Sequence, residues 1–206
     1  MEFYSRCIFP LLCHWAMSHK PMTECRAELL ANARGEVLEI GFGTGLNLAH
    51  YPDRIKHISA IDANPGMCRG ALKRIAEEAI DVDLRILSCE KLPFQSRRFD
   101  TVVSTWTLCS VADVQAALGE VRRVLKSDGV FLFAEHGLSD DPAVQRWQNR
   151  LNPLQKRIGD GCHLNRDMQL LINGSGFEFL ELRKFYLEKV PRIGGFIYQG
   201  RAAKSA

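Results

Sequence analysis

The sequence lacks most of the features that mark secreted, membrane-spanning or nucleic-acid-binding proteins. Its seven cysteines form no CxxC pair, which argues against a disulfide framework and favours a reducing compartment. No apolar run reaches the ~18 residues of a membrane-spanning helix, and the first residues lack the basic start of a signal peptide. The formal net charge is only +3, without the clustered basic residues that nucleic acid requires. We therefore expect a cytoplasmic protein that binds no nucleic acid.

The composition is that of one ordinary globular domain. The chain has 206 residues, of which 46% are hydrophobic and 25% charged, enough to bury a core without staples. Predicted strands alternate with predicted helices, which favours parallel strands joined by right-handed crossovers. The strands are expected at 36–40, 57–61, 84–87, 100–104 and 129–134, and the helices at 45–50, 66–79 and 113–125.

The first part of the chain, residues 1–34, is predicted to be helical. Residues 3–18 are apolar, with Phe3, Cys7, Leu11 and Trp15 at helical spacing. We interpret this segment as a lid over a binding site; peripheral contact with a membrane surface is the alternative. Over residues 3–22 only Arg6 and Lys20 are lysine or arginine, which is few for an interfacial helix and favours the lid. A second helix is expected over 24–33, with Thr23 as its N-cap and Gly35 beyond its end.

The last part, residues 137–206, departs from the alternating pattern of residues 35–136. Helices are predicted at 141–158 and 166–173. Two strand runs follow, at 177–186 and 196–203, with only a short linker between them. They are therefore predicted to form a β-hairpin, whose last strand runs antiparallel to the rest of the sheet.

The most informative segment is the nine-residue run from Val37 to Gly45, VLEIGFGTG. A predicted strand enters a turn with glycine at every second position, and such a turn lets the backbone approach a ligand closely. Asp62 ends the next apolar run, at about the distance expected of a carboxylate that holds a ribose diol. The third glycine comes one residue earlier than in the dinucleotide pattern GxGxxG, which argues against NAD. A purely structural glycine turn is the remaining alternative.

The same run resembles motif I of the class I S-adenosylmethionine-dependent methyltransferases, and two later segments match in order. The segment from Glu90 to Phe94, followed by Phe99-Asp100, and the segment from Glu120 to Gly129 resemble the type 11 methyltransferases. The resemblance covers residues 35–136. It implies S-adenosylmethionine as cofactor and a Rossmann-like, mostly parallel α/β sheet of seven strands in the order 3-2-1-4-5-7-6.

A narrower resemblance is to the methyltransferase-like 7 group, which includes membrane-associated thiol methyltransferases. It is carried by Leu108-Cys109-Ser110-Val111, Glu135-His136, Trp147 and the stretch from Ile158 to Arg166. It implies a small, apolar thiol as methyl acceptor. A phospholipid amine or a quinone-like carbon acid is the alternative acceptor. A catalytically silent cofactor-binding module and an NAD-dependent oxidoreductase are the alternatives of other classes.

The resemblance also assigns cofactor-binding residues. It implies that Glu39 attracts the amino group of the cofactor, that Asp62 accepts hydrogen bonds from the ribose hydroxyls, and that residues 88–92 flank the adenine. The expected set is Glu39, Gly41, Phe42, Gly43, Gly45, Asn47, Asp62, Ala63, Met67, Ser88, Cys89, Glu90, Leu92, Thr105 and Leu108.

The acceptor is expected between the lid and residues 136–168. His136 ends a strand at the edge where open α/β sheets bind ligands, which suggests a general base; a structural histidine is the alternative. Asp160 and His163 lie in a polar loop and are the other candidate catalytic residues. Cys162 and His163 lack a second pair of metal ligands, so no metal site is expected. Trp106 is a candidate for the acceptor wall or for the core.

Overall fold

Residues 3–205 of the chain are described by a computed structural model, in which the strand ends that carry the candidate residues meet at one sheet edge. The sheet order is β3-β2-β1-β4-β5-β7-β6, with β7 antiparallel to both of its neighbours. The predicted fold class, strand order and antiparallel last strand are therefore confirmed. The strands are β1 (Val37–Ile40), β2 (His57–Asp62), β3 (Asp81–Ile86), β4 (Phe99–Thr105), β5 (Leu125–His136), β6 (Phe177–Tyr186) and β7 (Phe196–Lys204).

Six α-helices accompany the sheet within the described residues. They are α1 (Phe9–Met17), α2 (Lys20–Leu30), α3 (Pro65–Glu77), α4 (Val114–Val124), α5 (Pro142–Ile158) and α6 (Met168–Gly174). A π-helical turn, Tyr4–Ile8, leads directly into α1. None of the helices in residues 3–205 is long and apolar enough to cross a membrane.

Two local expectations were wrong. The helix expected at 45–50 is only a short 3-10 turn, Leu48–His50, because Gly45 still has the left-handed φ of +76° that belongs to the glycine loop. The helix expected from residue 24 begins at Lys20, after an extended His19, with proline in its first turn. Thr23 is thus inside α2, where its hydroxyl donates to the His19 carbonyl at 3.3 Å.

The central strands are buried on both faces, which explains their continuous apolar runs. All four residues of β1 are buried, and β4 and β5 are nearly so. The chain crosses from β3 over to β4, so β1 has β2 on one side and β4 on the other. This change of direction opens a crevice at the carboxyl ends of the strands, the usual ligand site of an open α/β sheet.

Candidate active site

A cavity of about 370 Å³ lies in this crevice, between the strand ends and helix α1. Its size is within the ~300–1,000 Å³ typical of ligand pockets. The sheet side comprises the glycine loop, the end of β2 and the loop after β3, and the loop after β4 adds a further wall. The opposite side comprises α1 and α2. The predicted residues that line the cavity are Gly41, Phe42, Gly43, Asn47, Asp62, Ala63, Met67, Ser88, Cys89, Glu90, Thr105, Trp106 and Asp160.

The glycines of the loop have three different roles. Gly41, Gly43 and Gly45 all have left-handed φ values between 60° and 76°, which side chains disfavour. A Cβ at Gly41 would lie 1.9 Å from the Thr107 hydroxyl, so this glycine permits packing against the loop after β4. A Cβ at Gly43 would meet nothing closer than 4.0 Å, so this glycine leaves free space in the cavity wall. Gly45 does not line the cavity and packs beside Leu48.

Asp62 is fixed by backbone amides at the end of β2. Its Oδ2 accepts the Gly43 N–H and its Oδ1 accepts the Asn64 N–H, each at 2.7 Å. Burial raises the pKa of this carboxyl, and the two amide hydrogen bonds partly offset that effect. Each carboxylate oxygen keeps a lone pair beyond the one engaged here. The side chain can therefore accept further hydrogen bonds from a diol in the cavity.

Glu39 does not line the cavity; it lies behind Asn47, which does. It is 1% exposed and accepts hydrogen bonds from the Asn47 amide at 2.9 Å and the Tyr51 hydroxyl at 2.6 Å. Burial raises the pKa of Glu39 to about 7, against the effect of these hydrogen bonds. Asn47 does line the cavity, and its Oδ1 is buried without a partner. An unpaired acceptor in front of a carboxylate suits a bound ammonium group.

Three of the four residues predicted to flank the adenine in the loop after β3 line the cavity, and Leu92 does not. Ser88, Cys89 and Glu90 line the cavity, and Glu90 is tied to α4 because its Oε1 accepts the Asp113 N–H at 2.7 Å. Leu92 instead lies in the core. Leu92 was expected on the adenine ring, and its displacement follows from its backbone, whose N–H donates to Glu120 Oε2 at 2.7 Å.

The loop after β4 is held by the buried Glu135. Oε1 of Glu135 accepts the Ser104 hydroxyl at 2.7 Å and the Thr107 N–H at 3.0 Å. This fixes Trp106, which has a left-handed φ of +51° and lines the cavity. Leu108 was expected at the cofactor but is fully buried beneath the loop and does not line the cavity.

Helix α1 covers the cavity with a face that the sequence pattern did not select. The side of the cavity opposite the sheet is formed by Phe9, Cys13, His14 and Met17. The face chosen from the sequence is largely exposed instead: Phe3 is 72%, Leu11 72% and Trp15 69% exposed. Both faces are apolar at helical spacing, so periodicity alone could not decide between them.

The N-terminal segment is bound to the rest of the cavity rim by hydrogen bonds. The Tyr4 hydroxyl donates to the Ile158 carbonyl at 2.6 Å, and the Ser5 hydroxyl donates to Asp160 Oδ2 at 2.8 Å. The Asn64 side chain donates to the same carboxylate oxygen at 3.1 Å. Asp160 thus joins the N-terminal segment to the start of α3.

Arg26 is a cavity residue that the sequence reasoning missed, because no motif separates it from surface arginines. It is only 4% exposed, and its guanidinium lies 4.7 Å from the Trp106 ring centroid. Nη1 donates to the Met17 carbonyl at 2.8 Å, whereas the buried Nε has no partner. Burial lowers the pKa of Arg26 to about 10, so it stays charged at neutral pH. A buried cation with a free donor suits an anionic ligand group.

Of the three predicted catalytic residues, only Asp160 lines the cavity; placing His136 and His163 in the site was wrong. The His136 ring is buried behind the wall, with Nε2 at 2.8 Å from the His163 carbonyl and 3.4 Å from Cys162 Sγ. The His163 imidazole contacts the Cys109 carbonyl at 3.1 Å.

Cys109, Cys162 and His136 form a buried cluster outside the cavity, in which the side-chain pKa values are shifted. Cys109 Sγ and Cys162 Sγ lie 3.8 Å apart and share one hydrogen bond. This hydrogen bond and the nearby His136 hold the pKa of Cys162 well below its usual value, against the effect of burial. Burial lowers the pKa of His136, but the neighbouring Cys162 outweighs it, so the pKa of His136 is raised.

Comparisons with known proteins show which family the chain resembles. A family model described as a methyltransferase domain matches residues 38–133. The chain is 34% identical over 180 residues to the thiol S-methyltransferase TMT1B of Rattus norvegicus, covering 81% of this chain and 73% of the relative. It is 31% identical over 185 residues to TMT1B of Homo sapiens, again covering 81% and 73%.

Solved structures show the same fold. The YcgJ protein of Bacillus subtilis superposes with a TM-score of 0.69 at 18% identity, covering 89% of this chain and 99% of that one. The 1,6-didemethyltoxoflavin-N1-methyltransferase of Burkholderia thailandensis, solved with S-adenosylhomocysteine, gives 0.66 at 18% identity, covering 94% and 81%.

The fold and the glycine-loop site define a Rossmann-like S-adenosylmethionine-dependent methyltransferase. The chain belongs to the methyltransferase family that includes the two TMT1B proteins just described. The predicted family and cofactor are thereby confirmed, and NAD as cofactor is not supported.

Proposed function

We propose that this methyltransferase transfers the methyl group of S-adenosylmethionine to the sulfur of a small, apolar thiol. The observation that carries the proposal is the apolar part of the cavity lining, to which α1 contributes Phe9, Cys13 and Met17 and the loop after β4 contributes Trp106. Such a lining favours an uncharged apolar acceptor body over a phosphorylated or sugar-like one. The relatives named thiol S-methyltransferases support sulfur as the acceptor atom.

The cofactor fits the sheet side of the cavity. Asp62 is proposed to accept the ribose hydroxyls, and Asn47 Oδ1, with Glu39 behind it, to receive the amino group. Ser88, Cys89 and Glu90 are proposed to flank the adenine. When bound, S-adenosylmethionine supplies a methyl group on a positive sulfur, which is already an activated leaving group.

Arg26 is proposed to bind the carboxylate of the cofactor's methionine part. Arg26 lines the cavity, its guanidinium lies over the Trp106 ring, and its buried Nε–H has no partner. A charge-assisted hydrogen bond to a carboxylate would satisfy this donor. With Asn47 and Glu39 at the ammonium group, both charges of the amino acid end would then be matched.

The chain is proposed to position the acceptor without a dedicated base. His14 lines the cavity, but its pKa is lowered by burial and by the neighbouring Arg74, so it is mostly neutral at pH 7. Asp160 is held by two hydrogen bonds at the rim. A cysteine-like thiol has an ordinary pKa of about 8.5, so a few per cent of it is already thiolate at pH 7. Orientation of thiolate and methyl in line can then supply ~7–11 kcal/mol of the acceleration.

Residues 3–18 are proposed to act as a lid that excludes water and completes the acceptor side, in a cytoplasmic protein. A second candidate acceptor is a phospholipid amine at a membrane surface. The observation that favours it is the outer face of α1, where Leu11, Leu12 and Trp15 are all more than half exposed.

The proposal is tested with three acceptors that share one carbon skeleton and carry a thiol, a hydroxyl or an amine. Each is incubated with the full chain and S-adenosylmethionine, and mass spectrometry identifies the methylated atom. We expect product from the thiol alone. A parallel reaction with phosphatidylethanolamine vesicles tests the second candidate. Methylation of the lipid or of the amine, with none of the thiol, would contradict the proposal.

A further inference from the structure

A cluster of three side chains that can bind a metal lies outside the cavity, close in the chain to the cavity residues Ser110 and Asp160. Cys109 follows β4, His136 ends β5, and Cys162 lies in the loop after α5. One ligand atom from each lies within 4.8 Å of the other two. The three residues are 2%, 8% and 8% exposed. Three segments that are distant in the sequence therefore meet at one buried position.

We propose that Cys109, His136 and Cys162 bind one zinc ion, which fastens these three segments together. Two thiolates and an imidazole are a donor set that zinc favours, whereas magnesium and calcium prefer oxygen ligands. Sequence spacing did not predict this site, because it paired Cys162 with the adjacent His163. The fold instead pairs Cys162 with His136 and with a cysteine 53 residues away.

The two ligand pairs that include Cys162 approach the separations of a tetrahedral site, and Cys109 and His136 lie within 4.8 Å of each other. With Zn–S near 2.3 Å and Zn–N near 2.0–2.1 Å, ligand pairs are separated by about 3.8 Å for sulfur–sulfur and about 3.6 Å for sulfur–nitrogen. Cys109 Sγ and Cys162 Sγ are 3.8 Å apart. Cys162 Sγ lies 4.0 Å from His136 Nδ1 and 3.4 Å from Nε2. Shifts of a few tenths of an ångström at the histidine would bring this pair to the required separation.

The histidine has the outer partner that a metal-bound imidazole usually has. His136 Nε2 is 2.8 Å from the His163 carbonyl oxygen, which can only accept, so Nε2 donates its proton there. In the neutral ring this tautomer leaves Nδ1 unprotonated, so Nδ1 is the nitrogen that can bind a metal. Donation of the other ring N–H to a backbone carbonyl is the common way to orient such a ligand.

The charge of the occupied site suits its burial. Binding requires both cysteines as thiolates and the imidazole neutral, so it releases whatever protons these groups hold, and the two thiolates then cancel the ion's two positive charges. A neutral site avoids the cost of leaving an unpaired charge in the interior. Three protein ligands leave a fourth position for a water molecule or another small ligand.

A zinc ion bound by these three residues would stiffen the part of the cavity wall next to them. Ser110 and Asp160 both line the cavity, and each is within two residues of a proposed ligand. Loss of the metal is therefore expected to loosen the loop after β4 relative to the loop after α5. This role does not depend on which acceptor is methylated.

The test is the metal content of the full chain, purified without chelators and with a reductant. Elemental analysis should find about one zinc per chain in the wild type. Cys109→Ser and Cys162→Ser should lose it. Cys25→Ser is the matched control, since Cys25 is equally buried but contacts Gln199 instead, and it should keep the metal.

Cobalt gives a second readout that needs no variant to fold. Replacing zinc in the wild type should produce a thiolate-to-cobalt charge-transfer band and the intense visible bands of a tetrahedral site. S-adenosylhomocysteine binding reports whether each serine variant remains folded. The proposal is overturned if the reduced wild type binds neither metal. It is equally overturned if the folded serine variants bind zinc as the wild type does, or if non-reducing mass spectrometry finds the two sulfurs joined as a disulfide.

Discussion

The two sides of the cavity are built in different ways. On the sheet side, Gly41, Gly43 and Asp62 are placed by the backbone at the ends of two adjacent parallel strands. On the lid side, Phe9, Cys13 and Arg26 come from helices that reach the cavity by packing, far from any motif. The sheet side should therefore control all adenosine-containing ligands, whereas the lid side should discriminate among parts of the ligand. The predictions below test that division, from the largest expected effect to the smallest.

Gly41→Ala and Gly43→Ala should separate packing from binding within the sheet side. In Gly41→Ala the added methyl group clashes with Thr107, and the alanine must adopt a left-handed φ. The variant should therefore lose about 3 kcal/mol of unfolding free energy. Gly43→Ala adds a methyl group only to free space, so it should lose about 1 kcal/mol. Gly43→Ala should nonetheless weaken S-adenosylhomocysteine binding at least about tenfold, because its methyl occupies cofactor space. Denaturant melts and calorimetry measure the two effects; equal stability losses would contradict the assignment.

Asp62→Ala should weaken S-adenosylhomocysteine binding at least tenfold, since a charged hydrogen-bond partner contributes ~1.5–3 kcal/mol. Asp62 also accepts the Gly43 and Asn64 amides, so loss of affinity alone does not identify the ribose contact.

The ribose contact is isolated by comparing 5′-methylthioadenosine with its 2′,3′-dideoxy analogue. The wild type should prefer the diol about tenfold, and Asp62→Asn should reduce that preference because an amide is a weaker acceptor than a carboxylate. A preference that is unchanged in Asp62→Asn would refute the assignment.

Arg26→Met tests the lid side. It should weaken S-adenosylhomocysteine binding about tenfold through loss of a charge-assisted hydrogen bond. Binding of 5′-methylthioadenosine, which has no carboxylate, should change little and serves as the control. Calorimetry with both ligands measures the difference. Equal weakening of the two would show that Arg26 does not act on the amino acid end.

Glu39 gives the smallest effect, a dependence on pH. Because its pKa is about 7 in the folded protein, it ionises between pH 6 and 8. S-adenosylhomocysteine affinity should rise roughly fivefold to tenfold over that range, and the affinity of Glu39→Gln should change little with pH.

The raised pKa of Glu39 has the opposite effect on the stability of the unliganded protein. The free energy of unfolding should fall as pH rises from about 4.5 through 7, because Glu39 ionises more easily in the unfolded chain. Thermal melts at pH 5 and pH 8 should therefore differ less in Glu39→Gln; an unchanged difference would place the titration elsewhere.

The sheet side of the cavity could be predicted from the sequence better than the lid side. The strand order and the glycine loop were predictable because they depend on local patterns and on motifs of fixed spacing. Leu92 and Leu108 were misplaced because a motif fixes the backbone path, whereas the direction of each side chain depends on tertiary packing. Arg26 was missed because its importance arises only from burial against Trp106. His136 was at the predicted sheet edge, but its ring turns away from the cavity toward Cys162.

The most direct test of the account is the pH dependence of kcat/KM for a series of thiols with different pKa values. If the chain positions a thiolate without a base of its own, the rise of kcat/KM with pH should occur at the pKa of each thiol and should shift with the acceptor. With S-adenosylmethionine saturating at every pH, so that the ionisation of Glu39 does not limit cofactor binding, a rise fixed at one pH for every thiol would show a base within the protein. The absence of any methyl transfer to thiols would contradict the proposed function itself.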